Sequence, residues 1–188
     1  AAALYLKAGT ALDYETRTTY AVTVTVADGS LAGSTPRSAD YGLAITDVND
    51  FTPSFTSGTT AIVAEDTAEG AVVYQAAATD ADGTAPNKTV TYSIKPDVGD
   101  AGLVLIDKTT GAVTLNAHQA DFETRSSYAF TVVATDGGSP ARISEQPVLL
   151  TVTDVNDLSP VFTSGTTAIV AENTSENAVV YQAAATDA

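Results

Sequence analysis

Apolar and polar residues alternate with a period of two along several stretches of this chain. Tyr20, Val22, Val24 and Val26 are interleaved with Ala21, Thr23 and Thr25, while Tyr128, Phe130 and Val132 are interleaved with Ala129, Thr131 and Val133. In a strand this alternation puts one set of side chains on a buried face and the other on a second face. Further strand candidates lie near 59–64, 71–78, 89–94, 103–106, 112–115 and 146–153. Turn-forming clusters such as Asp82-Gly83, Thr110-Gly111 and Asp136-Gly137-Gly138 separate them. No helical period of useful length competes. Short strands at this density predict an all-β, seven-stranded Greek-key sandwich of immunoglobulin-like architecture.

The chain also repeats itself. Phe55-Thr-Ser-Gly-Thr-Thr-Ala-Ile-Val-Ala-Glu65 returns as Phe162 to Glu172, an offset of 107 (162 less 55). Asp47-Val48-Asn49-Asp50 returns as Asp154-Val155-Asn156-Asp157 at the same offset, and Asp13-Tyr14-Glu15-Thr16-Arg17 as Asp121-Phe122-Glu123-Thr124-Arg125 at 108 (121 less 13), one residue longer as a loop insertion would produce. A unit of this length is an ordinary domain. The reading is therefore tandem modules: residues 1–50 hold the last three strands of one, 51–157 a complete one, and 158–188 the first two strands of the next. With Ala rather than Met at its start, the chain reads as a window on a longer array. The alternative is that the two incomplete ends complete one another between molecules by strand addition, making a filament subunit.

Charge narrows the partners. Eight Lys and Arg against 23 Asp and Glu give a formal charge of −15, which excludes nucleic acid. With 44% hydrophobic residues the chain nevertheless has the means to fold. There is no Cys, Met or Trp, so no disulfide or thiolate chemistry is available. No stretch is long and apolar enough for a membrane span, so direct membrane insertion of this segment is not expected. The lone His118 sits in a loop-like segment and reads as a solvated or capping residue.

The acids cluster at the module junctions. Asp47-Val48-Asn49-Asp50 and its copy place carboxylate, amide and carboxylate oxygens between β-rich segments, the pattern of a metal-binding hinge. Oxygen donors without Cys or clustered His suit a hard cation such as calcium, which takes six to eight oxygens at about 2.3–2.6 Å. Any single Asp beside Gly is more often a turn residue satisfying local amides; repetition and order lift the set above that.

These motifs resemble a cadherin repeat. The linker Asp-x-Asn-Asp, followed by Pro53-Ser54-Phe55 or Pro160-Val161-Phe162, is similar to the family's junction motif. Leu12-Asp13-Tyr14-Glu15, Asp121-Phe122-Glu123, Asp80-Ala81-Asp82, Ala64-Glu65-Asp66, Ala171-Glu172-Asn173 and the turn acids Asp28 and Asp136 match its other motifs in order. Two positions depart: Phe51 and Leu158 replace the last Asn of the linker, and Ala64 and Ala171 replace the Pro before the first Glu. There is no Trp for strand-exchange adhesion. The resemblance implies a sandwich of about this length and three calcium ions at each junction. At the first it implies ligation by Asp13, Glu15, Asp47, Asn49, Asp50, Asp80, Asp82 and Asp136. At the second it implies Glu65, Asp121, Glu123, Asp154, Asn156, Asp157 and Asp187, with weaker or fewer ions because the second Asp of the last motif is not in the chain. Glu172 and Asp28 would serve junctions whose other halves are not in the chain. Two carboxylates about 4 Å apart repel by roughly 4 kcal/mol at an effective dielectric near 20, so such a cluster needs cations.

The functional expectation is a calcium-rigidified spacer of an extracellular or cell-surface adhesion protein, whose partners are calcium ions, neighbouring repeats and, in the alternative, like molecules met directly. Paired carboxylates such as Asp13 with Glu15 could in principle serve a glycosidase, but no nucleophile or base accompanies them and no enzyme is expected. Carbohydrate binding would want clustered aromatics. Asn87-Lys88-Thr89 and Asn173-Thr174-Ser175 match the glycosylation triplet.

Overall fold

The computed structural model describes residues 3–116 and 119–187, so His118 lies outside the described residues. Residues before the first linker contribute an antiparallel hairpin of β1 (Thr19–Val26) and β2 (Arg37–Ala44), in continuous register from Thr19↔Ala44 to Val26↔Arg37. After the linker come β3 (Ser54–Phe55), β4 (Thr60–Ala64), β5 (Val72–Gln75), β6 (Ala78–Thr79), β7 (Thr91–Ile94), a single 3₁₀ turn at Ala101–Leu103, β8 (Val104–Ile106), β9 (Ala112–Leu115), β10 (Ser127–Thr135) and β11 (Ile143–Thr153). Beyond the second linker lie β12 (Val161–Phe162) and β13 (Ala185–Thr186).

Two sheets face each other between the linkers. One has the order β4-β11-β10-β7 and the other β5-β9-β8, and a short β3-β6 pair closes one edge. All pairings are antiparallel except β4 on β11, which runs parallel from Thr60↔Leu149 to Ala64↔Thr153. Seven strands in two sheets form the all-β sandwich that the period-two pattern predicts, and each strand candidate between 59 and 153 is found. The alternation translates into burial along β11, where Gln146, Val148, Leu150 and Val152 point inward while their neighbours face out. Val113, Val132 and Leu150 are fully enclosed, and the Tyr74 and Phe130 rings meet edge to face at 6.1 Å between centroids.

The first fifty residues differ from expectation: two strands form there, not three, and no strand occurs among described residues 3–18. In the complete sandwich β9, the equivalent third strand, is held between β5 and β8. Among the described residues nothing pairs with 3–18 in this way, and a strand without a ladder does not persist.

Candidate metal centre

The first linker meets one end of the sandwich, where three chain segments converge. Asp80 and Asp82 follow β6 directly, and Asp136 follows the last residue of β10. Glu15 comes from the other side, on a turn in which the Arg17 amide donates to the Asp13 carbonyl at 2.9 Å. Gly83 is required where it stands, because a Cβ there would run into the Tyr14 ring; its amide donates to Glu15 Oε1 at 2.9 Å. Carboxylate oxygens of Glu15, Asp47 and Asp82 lie within 4.8 Å of one another, as do those of Asp80, Asp82 and Asp136. Asp82 belongs to both groups.

Asp47, Asp80, Asp82 and Asp136 each have one oxygen engaged by the protein and one left over. Asp47 Oδ2 accepts from the Thr84 amide at 2.9 Å, from the Thr84 hydroxyl and from Asn87 Nδ2 at 3.3 Å. Asp80 Oδ1 accepts from the Asp82 amide at 2.9 Å, and Asp82 Oδ1 from the amides of Asp50 and Phe51, both at 3.3 Å. Asp136 Oδ1 accepts from the amides of Gly138 at 2.9 Å and Arg142 at 3.0 Å. Asn49 donates through Nδ2 to the Pro140 carbonyl at 2.8 Å. The partner oxygens Asp47 Oδ1, Asn49 Oδ1, Asp80 Oδ2, Asp82 Oδ2 and Asp136 Oδ2 are buried and accept no hydrogen bond. The one other such atom among the described residues is Ser144 Oγ. Buried polar atoms are otherwise nearly always paired, because each unmade bond costs about 1–3 kcal/mol. Five oxygens left over on four acids and an amide, at one place, fit a hard cation and nothing softer.

The electrostatics agree. Burial, together with the charges of Asp82 and Asp136, pushes the Asp80 carboxyl above its ordinary value. Burial and the neighbouring Asp47 do the same to Glu15. Asp47 itself is held below its ordinary value by the Thr84 hydroxyl and amide. Donated hydrogen bonds thus relieve only part of the repulsion in this crowd of acids.

The second junction is built from the same residue types but lies open. Glu65 is buried and accepts from the Phe122 amide at 2.8 Å and from the Val155 amide; these backbone donors hold its carboxyl low. Glu65, Asp121 and Glu123 bring oxygens within 4.8 Å of one another, and Asp157 joins them along the wall of one groove. Asp154, Asn156 and Asp187 are exposed and join no group of three acids among the described residues. At the first junction Asp13 and Asp50 likewise stand outside the groups of three. Asp13 is engaged by the Thr16 amide at 3.1 Å and hydroxyl at 2.7 Å, which lowers its carboxyl. That engagement does not by itself remove a ligand, since Asp121 makes the same bonds to Thr124 and still lies in its group.

Sequence reasoning did not find Thr84, Asn87 or Arg142, which orient the ligating side chains. The signal for Thr84 was its place two residues beyond Asp82, and for Arg142 its place six beyond Asp136; neither is visible without the loop that folds back. The glycine of Asp136-Gly137-Gly138 read as a turn signal has a sharper role at 138, where a Cβ would fall inside the Asn49 side chain.

The family model described as "Cadherin domain" matches residues 59–153. Human "Protocadherin Fat 1" is 38% identical over 181 residues, covering 94% of this chain and 4% of that protein, so the chain spans only a small part of such a relative. Among solved structures, mouse Cadherin-23 EC22-24 aligns with a TM-score of 0.73 and 32% identity over 95% of this chain and 56% of that one. The Protocadherin GammaB4 extracellular domain aligns with a TM-score of 0.77 and 28% identity over 95% of this chain and 30% of that one.

Proposed function

The chain belongs to the cadherin domain family, a family of adhesion proteins and not of enzymes, and on that premise we propose that it is a calcium-rigidified repeat of a cell-surface or secreted adhesion protein, acting as a structural extender. The observation that carries this reading is the set of five buried oxygens without hydrogen-bond donors at the first junction. Calcium, when bound, supplies the concentrated positive charge and the high oxygen coordination number that these residues lack among themselves. Glu15 contributes from the module at 1–50, Asp47, Asn49 and Asp50 from the linker, and Asp80, Asp82 and Asp136 from the module at 51–157. Asp13 would join them from the same turn as Glu15. The residues of three consecutive segments share one centre, so holding it together fixes the angle between modules. Glu65, Asp121, Glu123, Asp154, Asn156, Asp157 and Asp187 serve the second junction, toward 158–188, where the more exposed acids bind more weakly.

Solution scattering with and without calcium tests the extender. An elongated particle that stiffens on calcium addition is expected; a particle whose dimensions do not change would overturn it. Beads coated with the chain separate spacing from direct adhesion, since calcium-dependent clustering would assign adhesion to these modules themselves.

A further inference from the structure

The hydrogen bonds at the first junction use a different set of atoms from the oxygens left over, and that division has a mechanical meaning. Asn49, in the middle of the linker, is gripped from two directions by the loop between β10 and β11. Its side-chain amide donates to the Pro140 carbonyl at 2.8 Å, while its own carbonyl accepts from Arg142 Nε at 3.0 Å. The loop is itself tied at its base, where the Asp136 amide donates to the Arg142 carbonyl at 3.1 Å and the Arg142 amide to Asp136 Oδ1 at 3.0 Å. Gly138 lies so close to the Asn49 side chain that no Cβ could be accommodated. None of these bonds touches Asn49 Oδ1 or Asp136 Oδ2, which remain buried and without donors.

We infer that the 136–142 loop is a cation-independent latch on the linker, with Arg142 as its positioning residue, and that the latch turns Asn49 Oδ1 toward the carboxylates before any cation arrives. The second half of that statement rests on the proposed calcium site; the first does not. An amide has two ends, and donating Nδ2 outward to Pro140 commits Oδ1 to face the acids. A linker pinned at both its amide and its carbonyl loses less freedom when the site is filled, which raises affinity by pre-organisation. The seven acids assigned to this junction would otherwise push linker and sandwich apart in the absence of cation. The latch bonds act against that push.

The chain contains no cysteine, so Ala39→Cys with Thr109→Cys places a pair of spin labels at exposed positions on either side of the linker. Their distance distribution, measured in chelator, reads the latch without reading calcium. The parent should give a distribution wider than it gives with calcium, with a narrow component from the latched linker. Arg142→Ala should broaden it, shifting the latched-to-open ratio by about fivefold, the loss expected of one hydrogen bond to a charged donor in a partly exposed setting. Arg142→Lys, which retains a donor able to reach the Asn49 carbonyl, should recover most of the narrow component. Gly138→Ala should broaden the distribution by wedging Asn49 away while leaving Arg142 in place. Unfolding temperature should stay constant across Arg142→Ala and Arg142→Lys, because the Arg142 side chain is exposed and buries no core. A parent as broad in chelator as Arg142→Ala overturns the latch. Calcium titration of the same proteins is read separately: a parent that shows the narrow component in chelator but takes up no calcium would end the calcium reading and leave the latch standing, whereas a parent as broad as Arg142→Ala that binds calcium would do the reverse.

Discussion

Residues 55–81 and 162–188 are almost the same sequence, differing only at Asp66/Asn173, Ala68/Ser175 and Gly70/Asn177, yet only the first joins the two large sheets. What is local survives in both. Tyr74 donates to Gly58 O at 2.7 Å as Tyr181 does to Gly165 O, and β3-β6 is matched by β12-β13 in the same register. What is long-range does not survive. β4 needs β11 and β5 needs β9, and residues 158–188 have neither. Val63 is 8% exposed where Val170 is 54%, and Tyr74 is 6% exposed where Tyr181 is 46%. An identical strand propensity is therefore worth little without a partner ladder and a facing sheet. The junctions inherit the contrast: five oxygens are enclosed where the downstream module folds, whereas Asp154, Asn156 and Asp187, the counterparts of Asp47, Asn49 and Asp80, are exposed.

The comparison breaks most visibly if the long-range support is removed from the first copy. Leu150→Ala, at a fully buried site on the strand that holds β4, should cost about 2–5 kcal/mol in unfolding free energy. Urea titration would measure it, and 55–64 should then exchange amide hydrogens as readily as 162–171. A finer probe is the pair Tyr74→Phe and Tyr181→Phe. The Tyr74 hydroxyl sits in a buried network with Gln146 Nε2 at 2.8 Å and Ser57 Oγ at 2.9 Å, so its loss should cost about 1–2 kcal/mol. Tyr181→Phe should stay within about 0.5 kcal/mol. Equal costs would contradict the account.

Acid sharpens the contrast further in chelator. Glu65 titrates below its ordinary 4.5 in the folded protein, chiefly through the Phe122 amide and then that of Val155. The native state therefore binds fewer protons there than the unfolded chain, and stability rises with pH across that range. The contribution is complete above about 4.5 and disappears as pH falls through the folded value, so Glu65→Gln should flatten acid denaturation below pH 4.5. The smallest effect is expected from Asp107→Ala. That carboxylate serves the Thr109 and Thr110 amides within its own turn, so calcium affinity should be unaltered.

Much of this was legible because the deciding signals are local. Period two along 128–133 located β10, the strand candidate near 146–153 located β11, and the returning linker located the junction. The composition of the site was legible for the same reason, as carboxylates in repeated motifs. What was not legible is which oxygen of each acid is engaged. Thr84 bonds Asp47 across 37 positions of chain and Arg142 bonds Asn49 across 93, and no spacing rule reaches that far. Nor could sequence tell 60–64 from 167–171, which are identical; the difference lies wholly in β11, ninety residues away from one and not beside the other.

Calorimetric titration with calcium, run on the parent chain and on Asp82→Ala, tests the central claim most directly. Asp82 is the one acid common to both groups of three at the first junction. The account predicts calcium binding by the parent, with the tighter phase lost in Asp82→Ala and the weaker phase of the second junction retained. A parent that takes up no calcium, or an Asp82→Ala chain that binds it as tightly as the parent, would contradict it.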